Sequence, residues 1–134
     1  MAASKYDFSI EQGSSFRLSI IYKDENNNIV NLTGYCARLT WRDSSGNVKI
    51  FSTTNINDND YKFTINGVNG QILLLISSDA TNTYEFITAK YDFEIQSPDD
   101  LYVNGAKETQ RILYGTIKLN KRYSQTTTNM DCII

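Results

Sequence analysis

Tyr35-Cys36-Ala37-Arg38-Leu39-Thr40-Trp41-Arg42 alternates strictly between apolar and polar side chains. Successive side chains of an extended strand point to opposite faces. Tyr35, Ala37, Leu39 and Trp41 therefore line one face, which is expected to pack into a core. Cys36, Arg38, Thr40 and Arg42 line the other, which is expected to meet water or a partner. Thr33-Gly34 precedes the strand and Asp43-Ser44-Ser45-Gly46-Asn47 ends it in a turn, after which Val48-Lys49-Ile50-Phe51 is predicted as the next strand.

The same period of two extends in both directions from this strand. Toward the N-terminus, Tyr6, Phe8 and Ile10 alternate, as do Phe16, Leu18, Ile20 and Tyr22. The link Gln12-Gly13-Ser14 is compatible with a tight hairpin or with a corner between two sheets. Lys23 to Asn28 is a polar turn cluster, and Ile29-Val30-Asn31-Leu32 is a short extended piece. Toward the C-terminus, Thr53 to Asp60 is a polar loop, followed by the alternating Tyr61, Phe63 and Ile65. Gln71 to Ile76 is apolar on both faces, as expected of a central strand. Ser77 to Thr83 is predicted to form a single helical turn, capped by Ser77 or Ser78. Ala89, Tyr91, Phe93 and Ile95 alternate again, and Ser97-Pro98-Asp99-Asp100 is expected to end that strand, because proline cannot donate to a ladder. Leu101 to Glu108 is read as a loop or a hairpin tip at Asn104-Gly105. The last strand, Arg111 to Leu119, places Leu113, Gly115, Ile117 and Leu119 on one face.

About eight strands at spacings of about ten residues, with one helical turn, predict an all-β fold, an antiparallel β-sandwich. No repeat or internal boundary divides residues 1–119, which are taken as one domain. Residues 120–134 change character: Asn120-Lys121-Arg122-Tyr123 is basic, Ser124 to Asn129 is polar, and Met130-Asp131-Cys132-Ile133-Ile134 is largely apolar. This segment is either a frayed terminus or an extended C-terminal arm that docks on a neighbouring subunit.

Composition narrows the chemistry. The 134 residues carry 13 Lys+Arg, 15 Asp+Glu and no histidine, for a net charge of −2. That balance predicts no nucleic-acid or anionic-lipid footprint. The missing imidazole removes the Ser–His–Asp and Cys–His triads and most catalytic zinc sites. Cys36 and Cys132 form neither a disulfide framework nor a metal cluster by spacing. They are expected as free thiols, since a bridge would require the tail to bring its Cα within about 7 Å of the strand. Asn57-Asp58-Asn59-Asp60 offers oxygen ligands but lacks the glycine and terminal glutamate of a calcium loop, so a solvated loop is expected. Asp92 and Glu94 share a strand face, as an ordinary acidic outer face would. Arg38, Arg42 and Lys90 are able to pair with those carboxylates across strands or to meet a partner. Trp41 is placed in the core, and no cysteine pair is positioned for the inter-sheet disulfide of antibody domains. No apolar run is long enough to cross a membrane and the N-terminus lacks a signal-peptide core. The chain is thus expected to be made in the cytoplasm and to leave it only within something larger.

Several segments share an order and spacing with a known group. They are Tyr6-Asp7-Phe8-Ser9-Ile10-Glu11-Gln12-Gly13-Ser14-Ser15-Phe16, Val30-Asn31-Leu32-Thr33-Gly34-Tyr35 running on to Trp41-Arg42-Asp43, Tyr91-Asp92-Phe93-Glu94-Ile95 and Gly115-Thr116-Ile117-Lys118-Leu119. Over roughly residues 5–119 the chain resembles small virion structural proteins of tailed bacteriophages, including the N-terminal domain of baseplate upper proteins. The resemblance implies an immunoglobulin-like sandwich acting as a non-enzymatic adaptor in a symmetric, multi-copy particle. It implies other virion proteins as partners, and no cofactor, metal, nucleic acid, membrane or small-molecule substrate. The long C-terminal stalk of the baseplate relatives is missing, which favours a small connecting or decorating subunit. An adaptor at the tail, baseplate or neck is the leading expectation. Capsid decoration comes second and a carbohydrate-binding module third. Residues 1–5 and 120–134 are the candidate docking arms, and Arg38, Arg42, Arg122, Tyr123, Met130, Ile133 and Ile134 the candidate partner contacts.

Overall fold

The computed structural model describes residues 3–100 and 105–123, together with Met130 and Cys132. Among the described residues, nine strands and one helical turn follow in chain order: β1 (Ser4–Lys5), β2 (Phe8–Glu11), β3 (Phe16–Ile21), β4 (Cys36–Asp43), β5 (Val48–Ser52), β6 (Tyr61–Asn66), β7 (Gln71–Ile76), α1 (Ser78–Asn82), β8 (Thr88–Asp100) and β9 (Lys107–Asn120). They form two sheets, one ordered β1-β9-β8-β4-β5 with β2 also on β9, the other ordered β3-β7-β6. This is the strand order of an immunoglobulin-like sandwich, with the first strand transferred to the β9 side. The Gln12–Ser14 link is thus a corner between sheets. Gly13 makes the turn with φ +84°, in the left-handed region that glycine adopts without steric penalty.

The alternation read from the sequence decides what faces inward. Ala37, Leu39 and Trp41 of β4, Tyr91, Phe93 and Ile95 of β8, and Ile72, Leu74 and Ile76 of β7 are all buried. Trp41 packs against Phe51 at 5.0 Å and edge-on to Tyr84 at 5.4 Å between ring centroids, geometries that aromatic quadrupoles favour. The outer side of β7 is only half buried at Leu73 and Leu75, so this strand is less enclosed than its composition predicts. Ser77 caps α1, its side chain accepting from the Ala80 N–H. The buried Thr81 hydroxyl donates to the Ser14 carbonyl at 2.8 Å and accepts from the Gly13 N–H at 3.1 Å, which fastens α1 to the corner.

Three expectations are corrected. β8 continues through Pro98 to Asp100. Its pairing with β4 ends at Cys36↔Gln96, and on the other side three residues of β8 oppose Glu108 alone. Pro98 lies past β4 and within an irregularity, where its missing N–H breaks no ladder. In β9 the register jumps between Leu113 and Arg111, so Ile112 is an extra residue that also turns inward and is buried. The extended piece Ile29–Leu32 makes the isolated bridge Lys23↔Ile29, and the N–H of the fully buried Leu32 donates to the Gly67 carbonyl at 2.8 Å. Ser4–Lys5, assigned to a docking arm, is a sheet strand parallel to β9.

β1 and β2 share one register on β9, Ser4↔Leu113 through Glu11↔Asn120, interrupted only at Tyr6-Asp7. That interruption is held from three sides. The Tyr6 N–H donates to the Tyr114 carbonyl at 2.8 Å. The Tyr91 hydroxyl donates to the Tyr6 carbonyl. The Asp7 carboxylate accepts from the Thr116 N–H at 2.8 Å.

Candidate interaction face

The outer face of the larger sheet collects most of the polar strand residues into a grid. Register places Ser52, Arg38, Glu94 and Arg111 in one row across β5, β4, β8 and β9. The next row holds Ile50, Thr40, Asp92 and Tyr114, and continues onto Lys5 of β1. A third holds Val48, Arg42, Lys90 and Thr116. Lys118 lies one step beyond, opposite Thr88.

The first two rows share two ion pairs, one within the first row and one between them. Arg38 Nη2 donates to Glu94 Oε1 at 2.9 Å with Nε at 3.3 Å. Arg111 Nη1 donates to Asp92 Oδ1 at 3.0 Å and its guanidinium sits 4.8 Å from the Tyr114 ring centroid. Exposed pairs of this kind stabilise by at most about 1 kcal/mol. The third row is not compensated. Arg42 and Lys90 are directly opposite, and neither forms an ion pair among the described residues. Together with Lys5 and Arg111 they border an open depression of about 530 Å³.

The structure separates the two arginines that the sequence grouped: Arg38 is in a cross-strand pair, whereas Arg42 faces another cation. Arg122 turns back onto its own domain. Its N–H donates to Gln12 Oε1 at 2.8 Å, and its guanidinium reaches Asn82 Oδ1 at 3.3 Å. Tyr123 and Met130 are exposed, while Ile133 and Ile134 lie outside the described residues. Lys5, Lys90 and Lys118 were not singled out together from the sequence. Alternation assigns Lys90 and Lys118 to outer faces, Lys5 shows no period of its own, and only the register between distant strands brings the three together.

Two other surfaces are notable. β3 is an edge strand of the smaller sheet, and between it and β9 runs a groove of about 240 Å³ lined by Ile20, Tyr22, Ile112 and Leu113. Burial raises the pKa of Tyr22 there, with the neighbouring Tyr35 adding to the shift. A second hollow of about 430 Å³ touches the Trp41, Tyr84 and Phe86 cluster, but Trp41 is only 3% exposed. The exposed aromatics among the described residues are Tyr6, Tyr114 and Tyr123, and the Tyr114 ring carries the Arg111 guanidinium. Cys36 and Cys132 are both free thiols. No group of acidic or thiol side chains among the described residues is gathered to hold a metal ion, and no described helix is long and apolar enough to cross a membrane. Set against models of known protein families and against curated proteins, the chain matches none.

Proposed function

We propose that the chain is a non-enzymatic structural subunit of a tailed bacteriophage particle, an adaptor at the tail, baseplate or neck that docks on neighbouring virion proteins. The observation that carries this reading is the open edge of β3 beside the apolar groove of Ile20, Tyr22, Ile112 and Leu113. An extended segment of a neighbour adds there as a further strand, with backbone hydrogen bonds giving affinity and the groove accepting alternate side chains. Contacts of this kind are weak singly and sum strongly in a symmetric particle. The sequence resemblance to phage virion modules supports the same setting. The rigid sandwich then serves as a spacer, and residues 124–134 as the segment offered to the next subunit.

Mass spectrometry of purified particles, followed by immunogold electron microscopy with antibody against residues 1–119, tests the proposal. Gold at the neck or tail end is the expected result. Gold over the head replaces the adaptor role with capsid decoration, and absence of the protein from particles overturns the virion assignment.

A further inference from the structure

We infer that Lys118, Lys90, Arg42 and Lys5 form a docking site for a carboxylate-rich protein surface. The inference takes its biological setting from the adaptor role and adds the chemistry of the partner.

Like charges directly opposite one another across strands destabilise a sheet, and Arg42↔Lys90 is such a pair. Elsewhere on this face the fold supplies counter-charges: the two carboxylates of β8 on this side, Asp92 and Glu94, are each taken by an arginine. Two flanking carboxylates are held by neutral donors. Asp7 accepts from the Thr116 N–H and Glu11 accepts from Asn120 Nδ2 at 2.7 Å. Neutral donors leave Asp7 and Glu11 charged, so the four cations stand against two flanking carboxylates and keep a net positive field on a chain whose net charge is −2. Strands about 4.8 Å apart, with same-face residues about 7 Å apart along each strand, give a lattice of mainly positive charge around the open depression. Such a lattice complements acidic side chains presented by another protein and steers its approach. A nucleic acid fits less well, because its phosphates would run across Asp92 and Asp7 while, among the described residues, the face offers Tyr114 as its one exposed ring, already covered by Arg111.

The test uses the full chain and two probes of equal formal charge, a fluorescein-labelled oligo-glutamate peptide and a labelled oligo-deoxythymidine, followed by anisotropy at low and physiological salt. Oligo-glutamate is expected to bind at low salt and to weaken by about tenfold or more at physiological salt, as the charges are screened. Lys90→Glu should weaken binding at least about tenfold, equivalent to ~1.4 kcal/mol. The same substitution should leave the melting temperature equal or higher, because the introduced carboxylate would face Arg42. Lys62→Glu, on the exposed face of the smaller sheet, should leave binding unchanged. Failure of oligo-glutamate to bind, equal binding by the Lys90→Glu variant, or tighter binding of oligo-deoxythymidine each overturns the inference. Because this measurement needs no particle, a negative result here leaves the particle location intact, and a negative particle result leaves this site standing.

Discussion

Gly115 lies directly beneath the carbonyl of Tyr6. A Cβ at position 115 would stand 2.6 Å from Asp7 Oδ1 and closer still to the Tyr6 oxygen. The break between β1 and β2 thus requires a residue without a side chain on β9. Gly115→Ala is expected to cost about 1–3 kcal/mol, as overpacking does, and to release β1 before the rest of the sandwich. Urea unfolding measures the first effect. Faster amide exchange at Tyr6 and Thr116, whose N–H groups donate across this break, reports the second.

Tyr84 and Tyr91 make opposite predictions under the same substitution. The Tyr84 hydroxyl is buried and has no hydrogen-bond partner among the described residues. Tyr84→Phe should therefore stabilise by up to about 1–2 kcal/mol, the desolvation penalty it removes. The Tyr91 hydroxyl holds the Tyr6 carbonyl, so Tyr91→Phe should destabilise by about 1 kcal/mol. Paired thermal melts decide both.

Alkaline pH should unfold the domain through the same phenols. Burial is the largest cause raising the pKa of Tyr22, Tyr84 and Tyr91 above the ordinary value of 10.0, with nearby Asp60 adding to it at Tyr84 and Asp7 at Tyr91. The fold thus retains the neutral form where the unfolded chain has begun to ionise. This contribution to stability is constant below about pH 10 and declines as pH rises above it. A stability profile between about pH 8 and 11.5 should turn down above about 10, and less steeply in Tyr84→Phe.

Trp41 and Phe93 test the inward face. They are 3% and 1% exposed, and truncation of either to alanine is expected to cost ~3–5 kcal/mol. A loss below about 1 kcal/mol in denaturant titration would show that the core is arranged differently.

Truncation separates the domain from its arm at a later point than the sequence suggests. Asn120 pairs with Glu11 and the Arg122 N–H donates to Gln12. A chain ending at Tyr123 should melt as the full chain does yet fail to enter particles. A chain ending at Leu119 should melt several degrees lower, because it loses the ties that fasten the first corner.

Local alternation made the strands and their inward residues legible: nothing beyond period two is needed to place Leu39, Trp41, Phe63 or Phe93. The features it could not reach depend on partners distant in the chain. Ile112 turns inward only because β8 shifts register against β9. Pro98 is tolerated because β4 has already ended and the pairing with β9 is irregular there. Ser4–Lys5 is too short to show a period and gains strand character from β9 alone. The interaction face was legible in the same partial way. Alternation pointed Arg38 and Arg42 outward, but their contrast, one neutralised by Glu94 and one set against Lys90, arises from a pairing of residues 48 or more positions apart.

The parallel course of β1 and β2 along β9 also gives the molecule a polarity. Ser4 and Glu11 sit opposite Leu113 and Asn120 respectively, so Ser4 and Asn120 are about 23 Å apart along the strand axis at ~3.3 Å per residue. An antiparallel first strand would have brought chain entry and exit to one pole. Here a peptide fused ahead of Ser4 would leave from the middle of the sheet edge, opposite Leu113, whereas one fused after Tyr123 would leave beyond the end of β9.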